Sequence, residues 1–222
     1  MVVQTQQMRI ERWLILCVAC LALLGMSVPG CRYWAGPLPL GVDNGVRVAS
    51  NVASNGWAEP MELAGLPNLH KVSDDLYRGA EPTPEGIQQL KKLGIRTVID
   101  LRSSGAPDDL RGTGMTYVRI PSTAWQPEDK DVVQFLRIIM DEDRTPVFVH
   151  CHRGADRTGM MTAIYRVAVQ GWTKEQAIAE MTQGGFGFYS GWQNLVRYIR
   201  DLDIERLKQS ALATPTRSAA TD

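Results

Sequence analysis

Residues 146–159 read PVFVHCHRGADRTG, and the fold turns on them. Pro146 to His150 is a short apolar run with two valines and a phenylalanine, the pattern of a strand buried on both faces. From Thr158 the chain suits a helix that runs to Gln170 and stops at Gly171. A loop that leaves a strand and opens a helix carries backbone N–H groups without intrahelical partners, and these can converge on an anion. Gly154 lets such a loop curl, so that the amides around His152, Arg153, Gly154, Ala155 and Asp156 aim at one phosphate group. The guanidinium of Arg157 can grip two phosphate oxygens as a fork and hold them better as charge develops. Cys151 stands at the entrance of that cradle, where the same positive surroundings favour the nucleophilic thiolate. This order of residues predicts in-line attack of Cys151 on a phosphate ester, a phosphocysteine intermediate, and its hydrolysis by water. The loop and Arg157 supply the positive charge, so neither a metal nor another cofactor is expected.

Strand and helix signals alternate on either side. Leu76-Tyr77-Arg78 is a short strand candidate. Thr83 and Pro84 give an N-cap followed by proline at the first helical position, with Gly94 as the stop. Residues 95–101 (IRTVIDL) and 115–120 (MTYVRI) read as strands, and the apolar stripe from Val132 to Ile139 as a helix. Thr173 with Gln176 forms a capping box, and Trp192 to Leu207 carries a last amphipathic stripe. The alternation predicts an α/β fold with three layers, α/β/α, around a central, mostly parallel sheet.

The 150–158 segment, His-Cys, five residues, Arg, Thr, resembles the signature of the cysteine-dependent phosphatase superfamily of protein tyrosine and dual-specificity enzymes. Residues 76–82 (LYRGAEP) and 97–102 (TVIDLR) resemble the opening of its compact bacterial members. The resemblance implies that Cys151 is the nucleophile, Arg157 binds phosphate, His150 tunes and orients Cys151, and the Thr158 hydroxyl assists breakdown of the intermediate. It also implies a general acid, since a leaving alkoxide or phenoxide needs a proton. Where many dual-specificity members keep this Asp, Ser122 and Thr123 stand. Asp129 and Asp131 lie in the next loop, but helix N-termini favour carboxylates in any case. Asp156, just before Arg157, resembles the acid of myotubularins and of bacterial phosphatases acting on both phosphoinositides and phosphoproteins, and is the preferred candidate. Its alternative is a bracing salt bridge.

His152 and Arg153 could touch a substrate with additional phosphates, although Ala155 replaces the Lys usual in lipid phosphatases. A phosphoinositide or inositol-polyphosphate phosphatase and a non-catalytic phosphate-binding module are therefore the alternatives. A sulfur transferase of the rhodanese type fits the His-Cys opening and Arg-Thr-Gly close less well. With three histidines in all, His70, His150 and His152, no four-ligand zinc arrangement can be assembled. The aromatic residues Trp125 and 186–189 are read as half-buried packing, and Asp100-Leu101-Arg102 as a structural ion pair.

Lys plus Arg and Asp plus Glu number 24 each, which leaves no overall positive field to recruit nucleic acid. Arg9 and Arg12 precede an apolar run, Trp13 to Met26, that is shorter than the ~20 residues of a spanning helix and fits an export signal. Residues 28–31 (VPGC) resemble a bacterial lipoprotein cleavage box with Cys31 as lipid acceptor; an uncleaved anchor is the alternative. Either way the remainder is expected outside the cytoplasm and attached to a membrane through its N-terminus. Of the four cysteines only Cys151 lies in the folded region, so no disulfide is expected there. The predicted organisation is an export signal over 1–31, a tether over 32–69, the α/β domain over 70–208 and a disordered tail over 209–222. The partner is a phosphorylated protein or a small phosphorylated molecule.

Overall fold

The computed structural model describes residues 47–48, 56–105 and 108–213. The segment read as an export signal, Cys31, most of the expected tether and the last nine residues lie outside them. Among the described residues, seven strands and six helices follow one another. β1 (Arg47–Val48), β2 (Glu59–Glu62), β3 (His70–Lys71) and β4 (Leu76–Gly79) come first, then α1 (Pro84–Lys92), β5 (Thr97–Asp100) and β6 (Thr116–Arg119). α2 (Asp129–Ile139) leads to β7 (Val147–His150), and α3 (Asp156–Ala168), α4 (Lys174–Gln183), α5 (Gln193–Asp201) and α6 (Ile204–Leu212) close the fold. The sheet order is β1-β2-β3-β4-β7-β5-β6. β4, β7, β5 and β6 are parallel to one another, while β1 to β3 form an antiparallel arm on one edge.

The parallel strands are buried because both faces are covered. Tyr77, Val98 and Phe148 point to the face packed by Ile87 and Leu90 of α1. Leu76, Ile99, Val147 and Val149 point to the other face, against α2 and α3 with the C-terminal helices behind. The expected three layers are present, one helix on one face and five on the other. The register aligns Gly79, His150 and Asp100 across β4, β7 and β5, so the C-terminal strand ends form one edge from which the 151–156 loop departs.

Local signals fall where the sequence puts them. Thr83 caps α1, accepting from the Gly86 N–H, and Gly94 with φ +77° ends it. The Thr173–Gln176 capping box opens α4. The single helix expected over Trp192 to Leu207 is instead two. The backbone turns extended at Leu202, and the Asp203 side chain accepts from the Arg206 N–H to start a new helix. That last helix continues to Leu212, so residues 209–212 of the expected tail are folded.

The larger correction concerns the tether. Residues 56–69 belong to the folded body: β2 pairs with β3, and Leu66 and Leu69 are buried beside Tyr77 and Phe148. A buried ion pair anchors this segment. Glu180, 1% exposed, accepts from Arg166 Nε and Nη2 at 2.8 and 2.6 Å and from the Ala58 N–H at 2.6 Å. Only the pairing in space marks these residues as structural, because Gly, Pro and Asn interrupt every periodicity in the stretch.

Gly154, with φ +69°, lies against the end of β4. A Cβ built there would sit 2.4 Å from the carbonyl carbon and oxygen of Gly79. Gly154→Ala is therefore expected to lose about 2 kcal/mol or more of stability, since both left-handed backbone and a backbone clash oppose it, and to lose activity. Glu180→Ala leaves Arg166 uncompensated in the interior and is expected to lower unfolding free energy by about 3–5 kcal/mol. Urea unfolding of the full-length protein reads both.

Candidate active site

Nothing but main chain caps the start of α3: its N-cap residue, Ala155, makes no side-chain cap hydrogen bond. The amides there remain available to an anion, with the positive end of the helix dipole behind them. Beneath the loop lies Arg78, fully buried, whose Nη2 donates to the Gly154 carbonyl at 2.8 Å. Its guanidinium stacks 3.8 Å from the Phe186 ring centroid. Burial pushes its pKa down to about 10, which still leaves it charged at neutral pH. Nε and Nη1 of Arg78 have no hydrogen-bond partner among the described residues.

Cys151 is buried, 3% exposed, and is the one free thiol among the described residues. It lines a cavity of about 240 Å³ together with Arg157, Asp156, Trp125 and Trp192. Arg157 is held by its Nη1, which donates to the carbonyls of Leu101 (3.1 Å) and Ser122 (3.2 Å). The fork is thereby anchored on the same strand-end edge as the loop. The Thr158 hydroxyl is fully buried and, with that of Ser122, has no partner among the described residues. An orphaned hydroxyl in the first turn of α3 is a signal of an unfilled role, because buried polar groups are ordinarily paired.

Trp125, 68% exposed, and Trp192 wall the cavity, and Tyr189 meets Trp192 edge to face with centroids 6.3 Å apart. The packing expected of these aromatics holds for Phe186, which is buried, but not for Trp125 or Tyr189. A larger cavity of about 580 Å³ opens at the far end of α3 between Trp57, Lys71 and Trp172. It holds no thiol, and its buried cation Arg166 is committed to Glu180, Gln170 and the Val72 carbonyl.

The candidate acids separate clearly. Asp156 lines the cavity with Cys151, and there it braces: one oxygen accepts from the Tyr189 N–H at 2.8 Å, the other from Arg153 at 3.1 Å. Asp129 points elsewhere. It accepts from Tyr198 Oη at 2.9 Å and from Arg206 at 2.5 Å, so α2 turns it toward α5 and α6. Asp131 is buried in the first turn of α2, where desolvation raises its pKa, and does not line the cavity. Asp129 and Asp131 are thus not brought to the site; helix-N-terminal charge accounts for them.

Two further residues that the sequence left without a role, Asp108 and Glu81, adjoin the loop, and the expected Asp100–Arg102 ion pair joins them. His150 is fully buried, its Nε2 2.8 Å from Asp108 and its Nδ1 3.4 Å from the Cys151 carbonyl. Asp108 also accepts from Arg102 Nη2 at 2.6 Å. Arg102 forms a bidentate pair with Asp100 at 2.8 Å for each contact and another pair with Glu81. Glu81 in turn meets His152 Nδ1 at 3.0 Å. Burial would raise the pKa of Asp100, yet hydrogen bonds from Arg102 and Tyr117 outweigh it and hold the carboxyl well below the usual range. Hydrogen bonding to Asp100 likewise keeps Arg102 charged. Asp100, Asp108 and His150 offer ligand atoms within 4.8 Å of one another, but the Arg102 guanidinium already bridges the two carboxylates, so the group does not fit a metal. A glycine-rich stretch without periodicity hides Asp108, and no local signal could have linked it to a histidine 42 positions away.

Comparison with known proteins agrees with this geometry. Residues 64–194 match the family model described as a DSP-PTPase phosphatase fused to NAD+ kinase. The dual specificity protein phosphatase TpbA of Pseudomonas aeruginosa is 33% identical over 195 residues, covering 86% of this chain and 84% of that one. Its crystal structure superposes with a TM-score of 0.62 at 31% identity, over 73% of this chain and all of that one, and a second structure of TpbA is a complex with pTyr. Inositol diphosphatase DSP5 of Arabidopsis thaliana is 31% identical over 156 residues, 64% of this chain and 73% of that one. With the family match over residues 64–194 taking in the loop, the cavity lining and helices on both faces of the sheet, the chain belongs to the DSP-PTPase phosphatases.

Proposed function

We propose that this phosphatase hydrolyses aryl phosphomonoesters, with Cys151 as nucleophile. The observation that carries the reading is the joint placement of Cys151 and an anchored Arg157 in one cavity at an uncapped helix start. The loop amides and the remaining Arg157 nitrogens hold the phosphoryl oxygens. Cys151 Sγ attacks phosphorus in line, forming the P–S bond as the P–O bond to the leaving group breaks. Asp156 gives the departing oxygen its proton, then takes one from the water that hydrolyses the phosphocysteine. The Thr158 hydroxyl donates toward the departing sulfur. Arg153 is a mostly exposed side chain, so its contact with Asp156 opens at little cost.

Compensated charge around the cavity favours a single phosphate over a polyphosphate. His152 is paired with Glu81, and Arg102 with three carboxylates. This sets the reading apart from the inositol diphosphatase relatives. The walls formed by Trp125 and Trp192 suit a flat aromatic leaving group, and TpbA itself accommodates pTyr.

Hydrolysis of a phosphotyrosine peptide and of an activated nitroaryl phosphate by the full-length protein tests this. Cys151→Ser should abolish turnover of both. Asp156→Asn should lower kcat about 10²-fold on the peptide and much less on the activated ester, since a good leaving group needs no proton. Trp125→Ala should raise KM for the peptide roughly threefold to tenfold. Equal losses on both esters would make Asp156 a brace only. An unmutated protein that binds orthovanadate without turnover would instead be a binding module.

We further infer that residues 1–31 direct export and that Cys31 is lipidated, which tethers the enzyme to the envelope. The apolar run and the VPGC box support this. Labelled palmitate should enter the unmutated protein made in a bacterial host but not Cys31→Ser; label retained in the variant overturns the assignment.

A further inference from the structure

Cys151 lies between two histidines, and both are tied to the same arginine. On the inner side, His150 Nε2 meets Asp108 at 2.8 Å, and Asp108 accepts from Arg102 Nη2 at 2.6 Å. On the outer side, His152 Nδ1 meets Glu81 at 3.0 Å, and Glu81 pairs with Arg102 Nη1. The Glu81 N–H also donates to the His152 carbonyl at 3.3 Å. Arg102 is itself fixed, 6% exposed and bidentate on Asp100, which Tyr117 and Arg119 hold in turn. The ring therefore closes from one neighbour of Cys151 to the other through a single buried guanidinium.

Charge shows what the ring is for. Three carboxylates, Asp100, Asp108 and Glu81, surround two guanidiniums, those of Arg102 and Arg119, so with neutral histidines the group carries a net negative charge. Such a charge beside a phosphate dianion and a thiolate opposes their binding. A cluster that costs anion affinity is explained by the geometry it imposes. A fork is also required, because one Lys ammonium cannot span carboxylates on two sides in fixed directions.

We propose that Arg102 is a positioning residue: through Asp108 and Glu81 it holds the two residues that flank Cys151 and so fixes Sγ in line with the bound phosphorus. The proposal rests on the phosphatase reading above. It makes Asp108 and Glu81 two arms of one device, although no contact joins their side chains directly.

The test is a double-mutant cycle in the full-length protein with Glu81→Ala, Asp108→Asn and both together, alone and with Arg102→Lys. The readouts are kcat and KM on an aryl phosphate, and the Kd for orthovanadate, whose five-coordinate adduct with a thiolate depends on the same alignment. Each single change should lower kcat about tenfold and weaken vanadate correspondingly, with KM changed less than about twofold. The double variant should lose about tenfold, not a hundredfold, because either break opens the ring. With Arg102→Lys in place, neither arm should cost more than about twofold further. Pure electrostatics predicts the opposite sign, tighter vanadate and unimpaired kcat once a carboxylate is removed; that outcome overturns the proposal. So do losses that multiply to a hundredfold, or arms that still matter beside Arg102→Lys. Glu81 is a partly exposed side chain, so its variant isolates the outer arm without disturbing the core, and thermal unfolding of each variant separates a lost fold from a lost alignment. Should Arg102→Lys not fold, the cycle between Glu81 and Asp108 decides alone. If the unmutated protein binds vanadate but hydrolyses nothing, the phosphatase reading fails, while the vanadate cycle still tests the ring.

Discussion

A cradle made of backbone amides has a consequence for the carbonyls of the same peptides: in a trans peptide they point the other way, and each needs a donor. The scaffold supplies one for every residue from His152 to Ala155. His150 Nδ1 lies 3.4 Å from the Cys151 carbonyl, Glu81 N–H reaches that of His152, and Asn68 Nδ2 that of Arg153 at 3.0 Å. Arg78 takes the Gly154 carbonyl, and the Gly159 N–H takes that of Ala155. With the carbonyls committed outward, the amides are left facing the cavity. The rest of the structure is arranged to bring those donors to one strand edge.

This requirement explains the parts of the fold that have no other evident purpose. The β2–β3 connection of the antiparallel arm seats Asn68, whose positive φ of +56° carries its amide under the loop, where it also reaches the Phe186 carbonyl. The close approach of Gly154 to Gly79 and Ala80 lets the loop rest directly on β4. Segment 100–102 serves three ways: the Leu101 N–H holds the His150 carbonyl, the Leu101 carbonyl holds Arg157, and the Arg102 side chain collects the carboxylates. A strand end three residues long thus fixes the loop's entry, Arg157 and the ionic frame.

Which features were legible in the sequence follows from their range. Cys151, Gly154, Arg157 and Thr158 act within one loop, so their chemistry is written in consecutive letters. The strand PVFVH and the Thr83 and Thr173 caps are also local. Asn68, Glu81 and Asp108 act across 42 to 85 positions, and none of them lies in a segment with a helical or strand period of its own. The break at Leu202 is masked in the sequence because the apolar stripe continues through it; only the cap by Asp203 interrupts the helix. Arg78 was visible as a strand residue, yet an arginine in a buried strand is intelligible only once the Gly154 carbonyl is beside it.

The position of Asp156 changes how an acid can work here. The segment 121–127 carries no carboxylate, and it is pinned: Asn194 Nδ2 donates to the Ala124 carbonyl at 2.7 Å and to that of Trp125 at 3.2 Å, and Arg157 holds that of Ser122. A loop latched to α5 and to Arg157 has little reason to swing. An acid on the first turn of α3 needs no such movement, because the helix that presents the amides presents the carboxylate as well. Its alignment with the leaving group then depends on the rigidity of that turn, and the Tyr189 N–H, donating to Asp156 at 2.8 Å, ties it to the 184–191 loop. The aromatic loop thereby ties the mouth of the cavity to the Asp156 carboxyl.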